Sequence, residues 1–160
     1  MNGIFMQRMI ECGEVETAWG LFCNMNRQAL KEGAIGSLSE CADAHPHPGK
    51  QWAERSGTFL QAWSNAEQLR VWYQCFLGIQ PDLLNGVVTV KPMLPKEISR
   101  LYQRIKLGKG YLVFNYKDGK FDIRLDGLDA KLQLILPEEA SKNDIIPFCK
   151  PDNSIILKYK

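Results

Sequence analysis

The pattern of apolar residues changes near residue 80, and this change constrains the fold more than any other feature of the sequence. Before it, apolar residues recur every three or four positions between Val15 and Ala29, as on one face of a helix. After it, short β-rich runs alternate with prolines and glycines, and Asp118-Gly119 is typical of a hairpin turn. The sequence therefore predicts an α+β chain, with a helical part over residues 1–82 and a mostly antiparallel β domain over residues 83–160.

Three helices and six strands are predicted within these two parts. The first helix ends near Gly13, the second begins at Val15 and stops at Gly33, and the third spans about residues 57–77. The predicted strands cover residues 87–90, 101–107, 111–116, 121–125, 131–136 and 154–159, with a second, weaker turn signal at Lys109-Gly110. A long loop over residues 34–56 separates the second and third helices, and loops of this length are often functional.

Composition and charge exclude several classes of protein. The 20 basic and 18 acidic side chains nearly balance, which gives no sign of a nucleic-acid partner. No stretch of about 18 apolar residues indicates a membrane span, and the N-terminal residues do not have the pattern of a secretory signal. Five cysteines without a CxxC pair favour reduced thiols over a disulfide framework, so we expect a cytoplasmic protein.

The long loop contains both histidines of the chain, His45 and His47. An HxH pair can bind zinc, and a third ligand would come from Asp43, Cys41 or Glu40. This spacing is a weak signal, and a histidine that contacts substrate or braces the loop is favoured, so no metal ligand is assigned. Cys41 beside these histidines is also a weak candidate nucleophile, because no orienting acid or oxyanion motif accompanies it.

Glu40 and the third predicted helix carry the other candidate groups. A carboxylate such as Glu40, at the mouth of a pocket built by helices, can act as a general base, although a loop glutamate is more commonly only solvated. Trp52 and Trp63 can stack on a sugar ring, whereas a tryptophan among apolar residues is more commonly part of the core. Glu67 precedes Arg70 by three residues, which is typical of an ion pair along a helix.

Taken in order, these residues resemble the C-terminal part of the amylo-α-1,6-glucosidases, the glucosidase units of glycogen debranching enzymes, which are (α/α)6-toroid glycosidases. The resemblance covers about residues 33–96. Its parts are a Leu-Ser-Glu turn at residues 38–40, the Pro-His loop, Gln-Ala-Trp-Ser at residues 61–64 running on to Ala66-Glu67, Gly-Ile-x-Pro-Asp at residues 78–82 and Pro-x-Leu-Pro at residues 92–95.

The resemblance implies that the chain is the C-terminal portion of a glycoside hydrolase that cleaves α-1,6-glucosidic branch points of a glycogen-like glucan by inversion, with Glu40 as the general base. It also implies that the chain alone is inactive toward such a glucan, because the region that carries the general acid is absent. It further implies that His45, His47, Gln61 and Trp63 shape a sugar subsite, and that no cofactor is needed. The helices would form the last part of the toroid, and the β domain would be its C-terminal cap.

The resemblance also implies a partner for this chain. The general acid of the family lies on an earlier loop, and a toroid needs twelve helices, so we expect the chain to be one part of a glycosidase. The missing part of the toroid or a partner chain would complete it, and otherwise its apolar helix faces would favour self-association. Two alternatives remain: a non-catalytic carbohydrate-binding or assembly module, and a small metal protein built on the HxH loop.

Overall fold

The computed structural model describes residues 2–31, 34–51, 53–136 and 156–159. The chain divides into two compact units, a helical unit over Met1–Trp72 and a β unit over Tyr73–Lys160. This arrangement of N-terminal helices followed by sheets confirms the predicted α+β class. The division falls earlier than the predicted boundary at residue 82, because the strand Ile79–Asp82 pairs with a neighbour in the β unit.

The first two helices of the helical unit are α1 (Asn2–Glu11) and α2 (Val15–Lys31). Gly13 joins them with a φ of 86°, and the N–H groups of Gly13 and Glu14 donate to the carbonyls of Ile10 and Met9. This is the Schellman pattern, which satisfies the last carbonyls of a helix and favours glycine. The predicted end of α1 near Gly13 is therefore confirmed, whereas the predicted stop at Gly33 lies outside the described residues.

Aromatic rings and apolar side chains form the core of this unit. Met6 and Ile10 of α1 are buried, as is Phe22 of α2. The ring of Phe22 stacks on the ring of Trp19 with centroids 5.5 Å apart and on the ring of Trp72 with centroids 6.0 Å apart. Such aromatic contacts add specific geometry to the burial of apolar area.

The third helix, α3, covers Ala62–Arg70 and continues as a π-helical segment over Val71–Phe76. The sequence predicted a helix from residue 57, and this start is wrong by five positions. Residues 57–61 are not helical, because backbone groups of this segment pair with an earlier one: the carbonyl of Thr58 accepts from Glu40, and the N–H of Gln61 donates to Leu38. Tertiary pairing here overrides the helical pattern of the sequence.

Two short strands close the long loop at its base. β1 (Cys41–Ala42) pairs antiparallel with β2 (Arg55–Ser56), in the register Cys41 with Ser56 and Ala42 with Arg55. The sequence did not indicate this pair. It places the two ends of the Pro-His loop side by side, next to Glu40.

The described residues of the β unit form two sheets. One has the strand order β3 (Ile79–Asp82), β4 (Val87–Val90), β8 (Lys131–Leu136) and β9 (Ile156–Tyr159), and the other is a meander of β5 (Arg100–Leu107), β6 (Gly110–Lys117) and β7 (Lys120–Asp126). Among the described strands of this unit, three pairings are antiparallel, whereas β8 runs parallel to both β4 and β9.

The turns of the meander test two predictions. Asp118 and Gly119 have φ values of 49° and 84°, so the predicted hairpin between β6 and β7 is confirmed. Leu107 pairs with Gly110, so the turn between β5 and β6 is Gly108-Lys109, one residue earlier than predicted. Residues 154 and 155 of the last predicted strand lie outside the described residues.

None of the helices within the described residues combines the length and the apolar character that crossing a membrane would need.

Candidate functional site

A cleft of about 630 Å³ lies within the helical unit. Side chains of α1, α2 and α3 form part of its wall, and the segment over residues 38–44 forms another part. Its lining includes hydroxyl, amide and carboxylate groups, among them Ser39, Glu40, Ser64, Glu67 and Gln68. A concave surface with convergent polar groups is the usual form of a small-molecule site.

Glu40 lies on this lining, and two hydrogen bonds connect it to Thr58, which follows β2. The backbone N–H of Glu40 donates to the carbonyl of Thr58 at 2.8 Å. In return, the N–H of Thr58 donates to Oε2 of the Glu40 carboxylate at 3.2 Å. These two bonds fix the backbone of Glu40 and engage one of its carboxylate oxygens, so the second oxygen, Oε1, is the one that is suited to activate a water.

The absence of a side chain at Gly57 makes room for Glu40. A Cβ atom built on Gly57 would lie 2.8 Å from Oε2 of Glu40 and 3.0 Å from its Cβ. The φ of Gly57 is 72°, in the left-handed region that glycine adopts at little cost. Close packing against this backbone therefore limits the positions that the Glu40 side chain can take.

The first turn of α3 holds the segment that leads to Glu40. Asn65 makes two hydrogen bonds to this segment: Oδ1 accepts from the N–H of Leu38 at 3.0 Å, and Nδ2 donates to the carbonyl of Gly36 at 3.3 Å. The hydroxyl of Ser64 donates to the carbonyl of Ser39 at 3.3 Å. The Gln-Ala-Trp-Ser element and the Leu-Ser-Glu turn are thus parts of one hydrogen-bonded structure.

Trp63 is one of the residues that line the cleft. The residue is 65% exposed, so most of a large aromatic surface is in contact with solvent. An aromatic ring of this size offers a large apolar area to a ligand. A ring face beside hydroxyl and amide groups is suited to the apolar face of a sugar.

Glu67 is a second glutamate on the cleft lining, and Arg70 controls its charge. Nε and Nη2 of Arg70 donate to the two carboxylate oxygens of Glu67 at 2.7 and 2.9 Å. These hydrogen bonds and the positive charge of Arg70 hold the pKa of Glu67 below its ordinary value of 4.5. Glu67 is therefore a carboxylate near neutral pH and is not suited to donate a proton.

Gln68 is a buried polar residue on the same lining, with 6% of its surface exposed. Its Nε2 group donates to the carbonyl of Phe22 at 3.1 Å and to Oδ1 of Asn26 at 3.2 Å. Within the described residues, its Oε1 atom is buried without a hydrogen-bond partner. The side chain links α3 to α2 and fixes the floor of the cleft.

The structure brings together some of the residues that the sequence predicted for the site. Glu40 and Trp63 line the cleft, whereas His45, His47 and Gln61 are not among the residues that line it. The backbone N–H of Gln61 donates to the carbonyl of Leu38 at 3.0 Å, which places Gln61 in the support of the Glu40 segment. Trp52 lies outside the described residues.

Three residues of the site were missed by the sequence analysis. Ser64 lies inside the Gln-Ala-Trp-Ser element and Asn65 follows it, so the motif itself marked their position. Gln68 lies between Glu67 and Leu69, outside the apolar repeat of the third helix, so no local signal indicated it. Their roles depend on which backbone groups they meet, and only the folded chain shows that.

Comparisons with protein-family models, with curated proteins and with solved structures each found no match to this chain. The functional interpretation therefore depends on the residues of the cleft.

Proposed function

We propose that this chain supplies the general-base half of a glycoside hydrolase that cleaves α-1,6-glucosidic branch points of glycogen-like glucans with inversion. The observation that carries the proposal is that Glu40 and the exposed ring of Trp63 line the same cleft. The Gln-Ala-Trp-Ser element and the Leu-Ser-Glu turn, on which the resemblance to amylo-α-1,6-glucosidases depends, are also hydrogen-bonded to each other.

In the proposed mechanism, Glu40 removes a proton from a water that attacks the anomeric carbon on the face opposite the leaving oxygen. Thr58 engages Oε2 of the carboxylate, so Oε1 accepts the proton. An inverting site places its two carboxyl groups about 6.5–9.5 Å apart, which leaves room for this water. Trp63 would support the apolar face of the glucosyl ring while Ser64 and Gln68 define the neighbouring wall and floor.

The general acid of this mechanism comes from outside the cleft described here. Glu67 is held in its ionised form by Arg70, and Asp43, a further carboxylate on the lining, pairs with His47 at 2.8 Å. We therefore propose that another part of the toroid or a partner chain provides the acid. A glucan or oligosaccharide is the proposed ligand of the assembled site.

The proposal can be tested with α-glucosyl fluoride, because fluoride leaves without protonation and the base alone then suffices. We expect the chain to release fluoride, and Glu40→Gln to lower the rate to the uncatalysed level. Glu14→Gln is the control, since Glu14 is exposed between α1 and α2 and does not line the cleft. Equal rates for Glu40→Gln and the unmodified chain would contradict the assignment of Glu40.

A second candidate is a non-catalytic carbohydrate-binding module. The ion pair of Glu67 with Arg70 favours this function, because a carboxylate that is paired with an arginine is not suited to act as the general acid that hydrolysis needs. Under this function, calorimetry would show oligosaccharide binding that Trp63→Ala abolishes and Glu40→Gln leaves intact, with no release of fluoride by the unmodified chain.

We also propose a reducing, cytoplasmic location. Cys12 and Cys41 are exposed thiols, and an exposed thiol persists more readily where glutathione keeps it reduced. Thiol titration of the protein taken from its own cells under acid quenching would show both groups reduced if this is right.

A further inference from the structure

The loop between β1 and β2 contains a cluster of three potential metal ligands, Asp43, His47 and Glu54. One ligand atom from each residue lies within 4.8 Å of the other two. Nε2 of His47 lies 2.8 Å from Oδ2 of Asp43 and 3.7 Å from Oε2 of Glu54. The cluster differs from the HxH pair of the sequence analysis, because it contains one histidine of that pair and a glutamate that the sequence did not indicate.

The strand register places two negative charges directly opposite each other. Ala42 pairs with Arg55, and the N–H of Asp43 donates to the carbonyl of Glu54 at 3.0 Å, so these two residues are the next cross-strand pair. Like charges directly opposite on paired strands are destabilising. A cation between the two carboxylates would remove this repulsion, and Nε2 of His47 lies within 3.7 Å of an oxygen of each of them.

The three ligand atoms lie within reach of one small divalent ion. Zinc binds imidazole nitrogen and carboxylate oxygen at about 2.0–2.2 Å, so tetrahedral ligand atoms lie roughly 3.4 Å apart. The 2.8 Å hydrogen bond between Nε2 of His47 and Oδ2 of Asp43 would lengthen toward this value as an ion binds, and the 3.7 Å distance from Nε2 to Oε2 of Glu54 would shorten. One imidazole with two carboxylates is a donor set that suits zinc, and two carboxylates balance its charge.

We propose that Asp43, His47 and Glu54 bind one Zn²⁺ ion, which closes the loop over residues 43–54. Neutral Nε2 of His47 and one oxygen of each carboxylate are the protein ligands, and the fourth position is open to water or to a solute. Any proton that Nε2 carries leaves to solvent as the ion binds. Because Asp43 and Pro46 also line the cleft, the bound ion would fix one wall of it. This site is independent of the proposed hydrolysis.

Calorimetric titration of the chelator-treated chain with ZnCl2 tests the proposal. We expect one ion per chain, with binding weakened by at least about tenfold in His47→Ala and in Asp43→Asn. His45→Ala is the matched control: it is the other histidine of the same loop, it lies outside the cluster, and it should bind zinc like the unmodified chain. Far-UV circular dichroism shows whether each variant is folded. If His47→Ala or Asp43→Asn does not fold, Glu54→Gln takes its place in the titration.

Two results would overturn the proposal. The first is the absence of stoichiometric binding to the unmodified chain. The second is binding that survives in His47→Ala or falls equally in His45→Ala, since the ion would then be held by exposed thiols such as Cys12 and Cys41, or by the HxH pair. Glucan plays no part in this titration, so its failure leaves the proposed hydrolysis as it stands.

Discussion

At the scale of single residues, Gly57 determines how closely the loop backbone can approach the Glu40 carboxylate. The contact is tight because there is no side chain at residue 57, and the positive φ of this residue is acceptable to glycine. A general base has to be held near its productive geometry, and a displacement of 1 Å can cost roughly 10²-fold in rate. The position of Glu40 is therefore as important to the proposal as its identity.

Gly57→Ala should lower the release of fluoride from α-glucosyl fluoride by roughly 10²-fold, because the added methyl group displaces the Glu40 side chain. Gly49→Ala is the matched control. Gly49 lies in the same loop with a φ of 79°, but a Cβ atom there would meet nothing within 4 Å. Both variants carry a similar backbone strain of about 1–2 kcal/mol, so equal rates in the two would contradict the role of Gly57.

The ion pair between Glu67 and Arg70 should make stability depend on pH. Because Arg70 lowers the pKa of Glu67, the pair stabilises the folded chain fully above the ordinary pKa of 4.5, and this contribution is lost as pH falls through the lowered value. Arg70→Gln should cost at most about 1 kcal/mol through this partly exposed pair at pH 7. Denaturant unfolding at pH 7 and pH 3 measures the difference.

At pH 3 the decrease in the free energy of unfolding caused by Arg70→Gln should be smaller than at pH 7. It should not be zero, because Nη1 of Arg70 also donates to Gln7 at 2.8 Å and this bond does not require charge on Glu67. Arg8→Gln is the control, because Arg8 pairs with Glu11 on the exposed surface of α1 and should contribute less at both pH values. If Arg70→Gln lowered the free energy of unfolding more at pH 3 than at pH 7, the predicted role of the ion pair would be contradicted.

At the scale of elements, α3 supports the Glu40 segment through the side chain of Asn65. Asn65→Ala removes two hydrogen bonds to the backbone at Gly36 and Leu38 and should lower the free energy of unfolding by about 1–2 kcal/mol. Asn24→Ala is the control: Asn24 accepts from Gln28 along the exposed face of α2, and such pairs contribute about 0.2–0.5 kcal/mol. If urea unfolding showed the same decrease in the free energy of unfolding for both variants, Asn65 would not stabilise the Glu40 segment as predicted.

The same elements show what the sequence could predict. The helices α1 and α2 follow from local signals, namely the apolar period and Gly13, and the hairpin of β6 and β7 follows from Asp118-Gly119. The start of α3 was wrong because the backbone of residues 57–61 pairs with a segment about twenty residues earlier. The parallel pairing of β4 with β8 depends on contacts between distant residues, which a local pattern does not contain.

Part of the candidate site could be predicted from the sequence, as was the case for the helices and strands. The resemblance indicated Glu40 and Trp63, and the folded chain places both on one cleft. Neither the resemblance nor the local pattern indicated that His47 lies beside Asp43 and Glu54. The pairing of β1 with β2 creates this arrangement, and it involves only two residues on each strand. Strands this short leave no periodic pattern in a sequence.

At the scale of the whole molecule, the exposed apolar side chains of the helical unit are the main feature. Ile4 and Phe5 of α1 are 60% and 58% exposed, and several further large apolar side chains of this unit are also exposed: Leu30, Ile35, Phe59, Leu60, Trp63 and Leu69. Surfaces of this kind are typical of contacts with other proteins or of self-association. They agree with the proposal that another part of a toroid covers these helices.

The chain alone should therefore self-associate, with a weight-average mass that rises with concentration in sedimentation equilibrium. Ile4→Gln combined with Phe5→Gln should weaken this association, because it removes two adjacent apolar groups from the exposed face of α1. Leu84→Gln is the control, because Leu84 is fully exposed in the β unit, and this variant should change the self-association little. A mass of one chain at every concentration would contradict the prediction.

The stereochemistry of the product tests the central claim most directly. Proton NMR during the first minutes of reaction with α-glucosyl fluoride distinguishes the two anomers of glucose before they equilibrate. We predict that β-glucose forms first with the unmodified chain and that Glu40→Gln forms none above the uncatalysed level, because Glu40 directs a water to the face opposite fluoride. α-Glucose as the first product, or β-glucose formed equally by Glu40→Gln, would contradict Glu40 as the base of an inverting hydrolase.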